Sequence, residues 1–582
     1  MSDLTADRFA ETLPPADRRV RINGRAAQAL ETGRMRLMIT GVVFALAFAT
    51  VGGRLVDATV LQSGVEPRLP SAVTGSAPTG ARAEITDRDG TILATTLSVA
   101  SVYADPALIL DPIEAADQLV TILPELDYAN LVEDLASDGR FVWIKRGLTP
   151  TQHYEINRLG IPGIAFQTEE QRIYPMGPLT AHIVGFTDVD GRGLAGIERY
   201  FNDRLMAGGE PVALSIDMRI QSLVRDELAA NIEEFQAIGG AGIVMDVDTG
   251  EVLAMVSMPD FNPYEPASVP PETRFNRATL GVYEMGSTFK ILNTAMALET
   301  GVVDMDDGFD ATNPIRVGRF TINDDHPKAR WLSVPEIFMY SSNIGSVQMA
   351  MAAGTPVQQQ FLDRMGMLDP SPIEVPEVAD PIIPDPWREI NTMTIAFGHG
   401  MAVSPMQLVS AVSATVNGGI LHDATLLRHD PGEDLVGTRV ISEQVSDQMR
   451  RLMRLVVVGG TGGRADAAGY IVGGKTGTAE KAVAGGYDRN ALMSSFIAAF
   501  PMTDPQYVVF IMLDEPKGNE STFGYETGGW VAAPVVRRVI EQMAPMVGIP
   551  PIDEENPEVR EALYVDLNSR VPLEGRLASY MN

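Results

Sequence analysis

The sequence predicts a multi-domain α/β protein carried on one N-terminal transmembrane helix. Three observations lead there. After residue 210, strand-like apolar runs stand at both ends of a long region whose middle is helix-periodic, the pattern of an antiparallel sheet with a helical lobe inserted in it. Before residue 210, shorter strand and helix patterns alternate as an α+β module. Near the N-terminus, one uncharged stretch approaches the length of a membrane span.

Residues 1–36 are polar and include Arg18, Arg19, Arg21, Arg25, Arg34 and Arg36. Leu37 to Gly53 (LMITGVVFALAFATVGG) is uncharged over roughly 17 residues, near the lower limit for a spanning helix, and Arg54 closes it. Basic residues before the apolar run, thinning out after it, orient the N-terminus to the cytoplasm and the rest outside. The expected parts are a cytoplasmic tail at 1–36 and an anchor at 37–58. Ala47-Phe48-Ala49 has the form of a signal-peptidase site, but the region before the apolar run is long for a signal peptide. A buried core helix would lack the basic flank and carry a polar face.

Val60 to Ala81 is rich in Pro, Gly and Ser and reads as a linker or stalk. Glu84 to Ala94 reads as two short strands about the Asp89-Gly90 turn. Leu108 to Leu148 is mostly helical in pattern, and a mixed segment with turns at Pro175-Met176-Gly177 and Asp190-Gly191 runs to Glu198. Residues 59–210 thus make an α+β module without a catalytic constellation.

The region 211–548 has a different texture. Val212 to Ile216 reads as a strand, Asp217 to Phe235 as a helix, and Gly242 to Met258 as a hairpin about Asp248-Thr249-Gly250. Leu492 to Phe500 and Tyr507 to Leu513 are the closing strands. Residues 549–582 form an acidic, polar tail expected to be partly disordered.

Composition narrows the function. A net charge of -31 and a pI of about 4.6 leave no basic face for nucleic acid. With no cysteine, thiolate metal sites and cysteine nucleophiles are excluded. The six histidines show no HExxH pattern, and His422 and His429 are the closest pair, so no metal is expected.

Polar clusters supply the chemistry. In Tyr283-Glu284-Met285-Gly286-Ser287-Thr288-Phe289-Lys290, Ser287 sits at the start of a buried helix that Gly301 can stop. Unpaired N–H groups and the positive dipole end there favour developing negative charge. Lys290, three residues on, shares the face of Ser287 and can serve as its base if desolvated. Alone, this spacing is also that of an N-cap serine and a solvated lysine. Ser341-Ser342-Asn343 follows the capping box Ser333-Val334-Pro335-Glu336, so hydroxyl and amide sit at a helix–helix junction; ordinary capping gives the same residues. Lys475-Thr476-Gly477-Thr478 continues or ends a strand, offering a cation, hydroxyls and a glycine that admits close approach. An edge strand with a solvated lysine is the plainer alternative.

Gly469 to Thr476 also satisfies the G-x-x-x-x-G-K-[ST] phosphate-loop pattern, with Val508 to Leu513 and Asp514 as its acid-tipped strand. Tyr470-Ile471-Val472 is strand-like, however, and the segment after Thr476 meets Gly477 and then Gly485-Gly486, too soon for a crossover helix.

Together, Ser287-x-x-Lys290, Ser341-x-Asn343 and Lys475-Thr476-Gly477, in that order, resemble the active site of penicillin-binding proteins and serine β-lactamases. The resemblance covers roughly residues 54 to 545. Glu84 to Ala94, Arg172-Ile173-Tyr174-Pro175 and Gly193 to Glu198 are similar to the pedestal of the class B members, and Met285 stands where that class usually has proline. Phe397-Gly398-His399-Gly400 with Ser404-Pro405-Met406-Gln407 is similar to another of its segments, with Ser404 for threonine. Asn343 resembles the septal, cell-division branch rather than the elongation branch.

The resemblance implies a transpeptidase domain on an elongated pedestal, without a glycosyltransferase module. It implies that Ser287 attacks the bond between the terminal D-alanines of a peptidoglycan stem peptide. Lys290 is then the base, Ser341 a proton shuttle, Asn343 a holder of the donor peptide, and Lys475 an electrostatic tuner. Thr476 and Thr478, with Gly477 between them, bind the substrate carboxylate, and the N–H groups of Ser287 and Thr478 form the oxyanion hole. No metal or organic cofactor is implied. The implied partners are lipid-linked nascent glycan, β-lactams, a membrane glycan polymerase (FtsW-like) and the division machinery, at the inner membrane with the catalytic domain periplasmic. A β-lactamase, a non-catalytic lactam sensor and a nucleotide-binding protein are the alternatives.

Overall fold

The computed structural model describes residues 82–565 apart from 319, 431, 434, 484 and 485, together with residue 567 and six positions within 38–49. The expected tail at 1–36 and linker at 60–81 lie outside the described residues. So does most of the anchor at 37–58, of which Met38, Val42, Phe44, Ala45, Phe48 and Ala49 are described as helical and exposed. Among the described residues no helix is long and apolar enough to cross a membrane. The described residues from Arg82 onward belong to one compact unit.

The first sheet is built from β1 (Ile85–Thr86), β2 (Ile92–Ala104), β3 (Val142–Leu148), β4 (Ile164–Ile173) and β5 (Val212–Ala213). Asp87 makes the β1–β2 turn by accepting hydrogen bonds from the N–H groups of Asp89 and Thr91 at 2.9 and 2.7 Å. Strand β2 pairs with β4 from Thr95 to Ala104, with β3 on the opposite edge from Ala100 to Ala104, and with β1 at its start. Helices α1 (Pro112–Ile122), α2 (Tyr128–Leu135) and α3 (Pro150–Leu159) start on Asp111, Asp127 and Thr149, whose side chains accept N–H groups of the first turn. Leu119, Leu131, Leu135 and Ile156 bury their inner faces against Val102, Ile144 and Leu148 of the sheet.

The helical expectation for Leu108 to Leu148 therefore holds only to Leu135. Val142–Leu148 pairs with β2 instead and buries Ile144 and Leu148. Val212 to Ile216 also differs from its reading. Only Val212–Ala213 is a strand, and it pairs in parallel with β1, so it completes the first sheet rather than opening the second.

The second sheet comprises β6 (Gly239–Asp246), β7 (Val252–Met258), β8 (Gly473–Val483), β9 (Gly486–Phe500) and β10 (Tyr507–Asp514), in the order β8-β9-β10-β6-β7. Every pairing is antiparallel. The helices that matter for the site and its core include α4 (Met218–Glu234), α5 (Lys290–Glu299), α6 (Val334–Tyr340), α7 (Asn343–Ala353), α8 (Pro405–Val416), α9 (Glu443–Gly459), α10 (Ala533–Met546) and α11 (Pro557–Leu563). Ile220, Val224 and Leu228 of α4 join Val536, Val539 and Ile540 of α10 in one apolar layer with Val244, Phe496 and Ile511. A separate core joins Ile291, Leu292 and Ala295 of α5 with Val409 and Val412 of α8, Met453 and Val456 of α9, and Ile243 and Phe510 of the sheet. The strands of this sheet come from 239–258 and 473–514, the two ends of the region, with the helical lobe between, as the sequence predicts.

The first part of the tail after Pro550 packs against the domain. Ile552 donates its N–H to Gly469 O at 2.7 Å, and Glu554 accepts from Arg454 at 3.0 Å and from Gly469 N–H at 2.8 Å. Helix α11 follows, with Val559 and Leu563 half-buried against the core. Residues 568–582 lie outside the described residues.

Candidate active site

Ser287 lies in a single 3₁₀ turn, Gly286–Phe289, that runs directly into α5. Thr288 closes the turn by donating to Met285 O at 2.8 Å. Glycines let this turn press against its neighbours. A Cβ at Gly398 would fall 2.0 Å from Gly286 O, and one at Gly477 would fall 2.3 Å from Ser495 Oγ and 2.9 Å from Thr288 Cγ2. The unpaired side of edge strand β8 is thereby held against the Ser287 turn.

Helix α5 is buried along its length, so Lys290, its first residue, is 1% exposed. Its Nζ is 3.2 Å from Ser287 Oγ, 2.6 Å from Ser341 O, 3.0 Å from Ser341 Oγ and 2.7 Å from Asn343 Oδ1. Burial lowers its pKa to about 8, against a smaller opposing pull from Asp325 and Asp324.

Ser341 ends α6 in the left-handed conformation, φ 59 and ψ 42, rare for a residue with a side chain. Neighbours hold it there. Ser342 caps α7 and donates to Asp324 Oδ2 at 2.8 Å, and Ile344 N–H donates to Asp324 Oδ1 at 2.9 Å. Asn343 Nδ2 donates to Asn323 O at 2.8 Å. Asn343 is thus engaged at both ends, by Lys290 and by the 323 carbonyl.

Lys475, on β8, is fully buried and donates to Ser341 Oγ at 3.0 Å. Burial, and then the charge of Lys290, push its ammonium well below the ordinary lysine range. Ser341 Oγ therefore bridges two lysines. Thr476 Oγ1 meets Thr461 Oγ1 at 2.9 Å, and Thr478 Oγ1 accepts the N–H of Gly528 at 3.2 Å.

Ser287, Lys290, Ser341, Asn343 and Lys475 form one hydrogen-bonded chain, and Thr476, Gly477 and Thr478 continue along the same strand. Lys475 stands in a β-strand and faces Ser341, not a phosphate loop. Among the described residues no group of His, Asp and Glu could hold a metal. Sequence reasoning missed Asp324, Asn323 and Thr461. Asp324 sits in Asn323-Asp324-Asp325, which looks like any solvated acidic loop, yet it is 9% exposed. It also missed Glu284, whose Oε1 accepts from Gly400 N–H at 2.8 Å and Tyr487 Oη at 3.0 Å, tying the segment before Ser287 to the Gly400 loop and to the start of β9.

Residues 240–541 match the family model described as penicillin binding protein transpeptidase domain, and residues 78–209 match the penicillin-binding protein dimerisation domain. The chain is 42% identical over 483 residues to the probable peptidoglycan D,D-transpeptidase FtsI of Caulobacter vibrioides, covering 81% of this chain and 82% of that one. It is 30% identical over 507 residues to the peptidoglycan D,D-transpeptidase FtsI of Escherichia coli, covering 81% and 84%. Its fold matches a peptidoglycan synthetase from Bifidobacterium adolescentis with a TM-score of 0.64 at 23% identity, over 82% of this chain and 97% of that one.

Proposed function

The chain belongs to the class B penicillin-binding proteins, and from that membership we propose a septal peptidoglycan D,D-transpeptidase whose nucleophile is Ser287. The observation that carries this reading is the pair of buried lysines converging on Ser341 Oγ, with Lys290 also on Ser287 Oγ.

The geometry supports an assignment of protons. A neutral amine has two donors and one lone pair. The shortest contacts of Lys290 go to Ser341 O and Asn343 Oδ1, which can only accept. These consume both donors and leave the lone pair for a hydroxyl, Ser287 or Ser341. A pKa near 8 keeps a useful fraction of Lys290 neutral at physiological pH.

Ser287 Oγ attacks the carbonyl carbon between the terminal D-alanines as its proton passes to Lys290. The tetrahedral oxyanion rests on the N–H groups of Ser287 and Thr478, each contributing about 3 kcal/mol in comparable sites. As the C–N bond breaks, Ser341 passes a proton to the leaving amine and is reprotonated from the lysine pair. D-Alanine departs and leaves an ester on Ser287. An amine of a neighbouring stem attacks that ester, an amide forms, and Ser287 recovers its proton. Thr476 and Thr478 take the substrate carboxylate beside the charge of Lys475. A β-lactam follows the same first step and leaves an acyl-enzyme.

The same reading takes residues 37–58 as a single-pass inner-membrane anchor with the catalytic domain periplasmic, supported by the uncharged run after an arginine-rich tail. It takes 59–210 as the pedestal, and an FtsW-like polymerase and the division machinery as partners.

Mass spectrometry of the penicillin-treated chain tests the nucleophile: one adduct on the Ser287 peptide, absent from Ser287→Ala. An adduct surviving that substitution at full yield moves the nucleophile elsewhere. Cross-linking of lipid-linked substrate by the purified chain with a glycan polymerase separates the enzyme from a lactam sensor, which acylates without cross-linking.

A further inference from the structure

Beside strand β8 lies an aromatic platform that the reaction above does not use. Tyr525 stacks on Trp530 with ring centroids 5.0 Å apart and planes 13° from parallel. Phe523 meets the same indole edge-on at 5.8 Å. The Arg464 guanidinium sits 3.6 Å from the Trp530 ring centroid. Phe523 is 79% exposed and Tyr525 52%. Solvent-facing rings so grouped mark a surface that meets something.

Each half of the platform is tied to one threonine of β8. Arg464 belongs to the short turn Gly463–Ala465, just after Thr461, whose hydroxyl meets that of Thr476 at 2.9 Å. Trp530 belongs to the turn Gly528–Val531, whose first N–H donates to Thr478 Oγ1 at 3.2 Å. The platform is therefore continuous with the part of the cleft assigned to the reacting end of the substrate.

Arg464 is exposed and makes no ion pair among the described residues, in a chain with 76 acidic against 45 basic residues. Stacking occupies a face of the guanidinium and leaves the N–H donors in its plane free for a carboxylate held by two parallel bonds. The ring beneath fixes the plane, so little freedom is lost on binding.

We propose that Arg464, Tyr525 and Trp530 form an outer subsite for an anionic segment of the peptide substrate, with Arg464 pairing to a carboxylate remote from the bond that reacts at Ser287. This rests on the transpeptidase reading, because it takes the occupant to be the stem peptide entering along β8. The subsite favours a free carboxylate over its amide.

Calorimetric binding to the full chain carrying Ser287→Ala separates this inference from the chemistry. The probes are synthetic stem peptides ending in D-Ala-D-Ala, with the internal carboxylate free or amidated. The free acid binds more tightly, and Arg464→Gln weakens it by about tenfold, the worth of one charge-assisted pair, while the amide is unaffected. Arg464→Lys, which keeps the charge but not the fork, recovers part of the loss. Equal affinity for acid and amide, or an equal loss of both in Arg464→Gln, overturns the subsite. Acylation of Ser287 by a small lactam, measured on Arg464→Gln alone, stays within about twofold of the parent. Absence of acylation in the parent chain instead defeats the transpeptidase reading.

Discussion

Asp324 holds Ser342 through a 2.8 Å hydrogen bond, one residue from the hydroxyl that the two lysines share. Its other oxygen takes the N–H of Ile344. The carboxylate thus fixes the start of α7 and keeps Ser341 in its unfavourable backbone conformation. Asp324→Ala is expected to cost about 1–2 kcal/mol of stability, the loss of a cap and a buried hydrogen bond. Lactam acylation of Ser287 is expected to slow by roughly tenfold or more as the geometry relaxes. Stopped-flow acylation and thermal melts measure the two separately. An unchanged acylation rate would mean that Asp324 only caps the helix.

Lys290 titrates near 8 in the folded chain against about 10.4 when unfolded. As the base it must be neutral, so acylation should climb with pH and level off above about 8. The folded chain binds fewer protons than the unfolded one between those two values, so folding stability also rises with pH across that window. Below about 8 both states are charged and this contribution is constant. A flat acylation profile from pH 6 to 9 would remove Lys290 from the role of base.

Gly398 has φ +85, and a Cβ there would overlap the carbonyl of Gly286. Gly398→Ala should cost about 3 kcal/mol from strain and forced displacement. The displacement falls on the Ser287 turn, so acylation should drop more than stability alone explains. Chemical denaturation alongside acylation rates decides this, and normal acylation by the folded variant would sink it.

Glu198 is completely buried between Arg82 and Arg172, with a 2.6 Å contact to each. Glu198→Gln leaves two buried guanidinium groups without their countercharge and should cost about 3–5 kcal/mol. The pedestal should melt first, since these residues lie within it. Hydrogen exchange over residues 82–206 reads that directly.

Glu554 links the C-terminal segment to Arg454 and to the Gly469 N–H. Arg454 keeps Asp466 at 2.6 Å and Val472 O at 2.8 Å. Glu554→Ala should therefore cost only about 1–2 kcal/mol. Protease cleavage after residue 549 should accelerate, and unchanged protection would show that α11 docks without this carboxylate.

What was legible in the sequence follows the distance over which each feature is encoded. Ser287 and Lys290 are three residues apart on one turn, and Lys475 to Thr478 are contiguous, so local spacing shows them. The Gly242 to Met258 hairpin and the closing strands were legible for the same reason, with apolar runs broken by turn residues. Asp324 was not, because its partners depend on a loop folding back over 18 residues. Glu554 reads as a tail acid until Arg454, 100 positions earlier, is brought beside it. Val142 to Leu148 looked helical because it follows two helices, but pairing with β2 overrode that pattern. Val212–Ala213 reads as a strand, but so short a strand carries no record of the neighbour it pairs with.

That small strand has a mechanical meaning. Immediately after it, Leu214 bridges to Leu427, and Ser215 donates its N–H to Leu426 O at 2.8 Å and its hydroxyl to Val252 O at 2.8 Å. The polypeptide leaves one sheet and is clasped by the other with no slack between them. Torque applied by any molecule gripping the pedestal is handed straight to β7, the far rim of the sheet whose near rim bears Lys475.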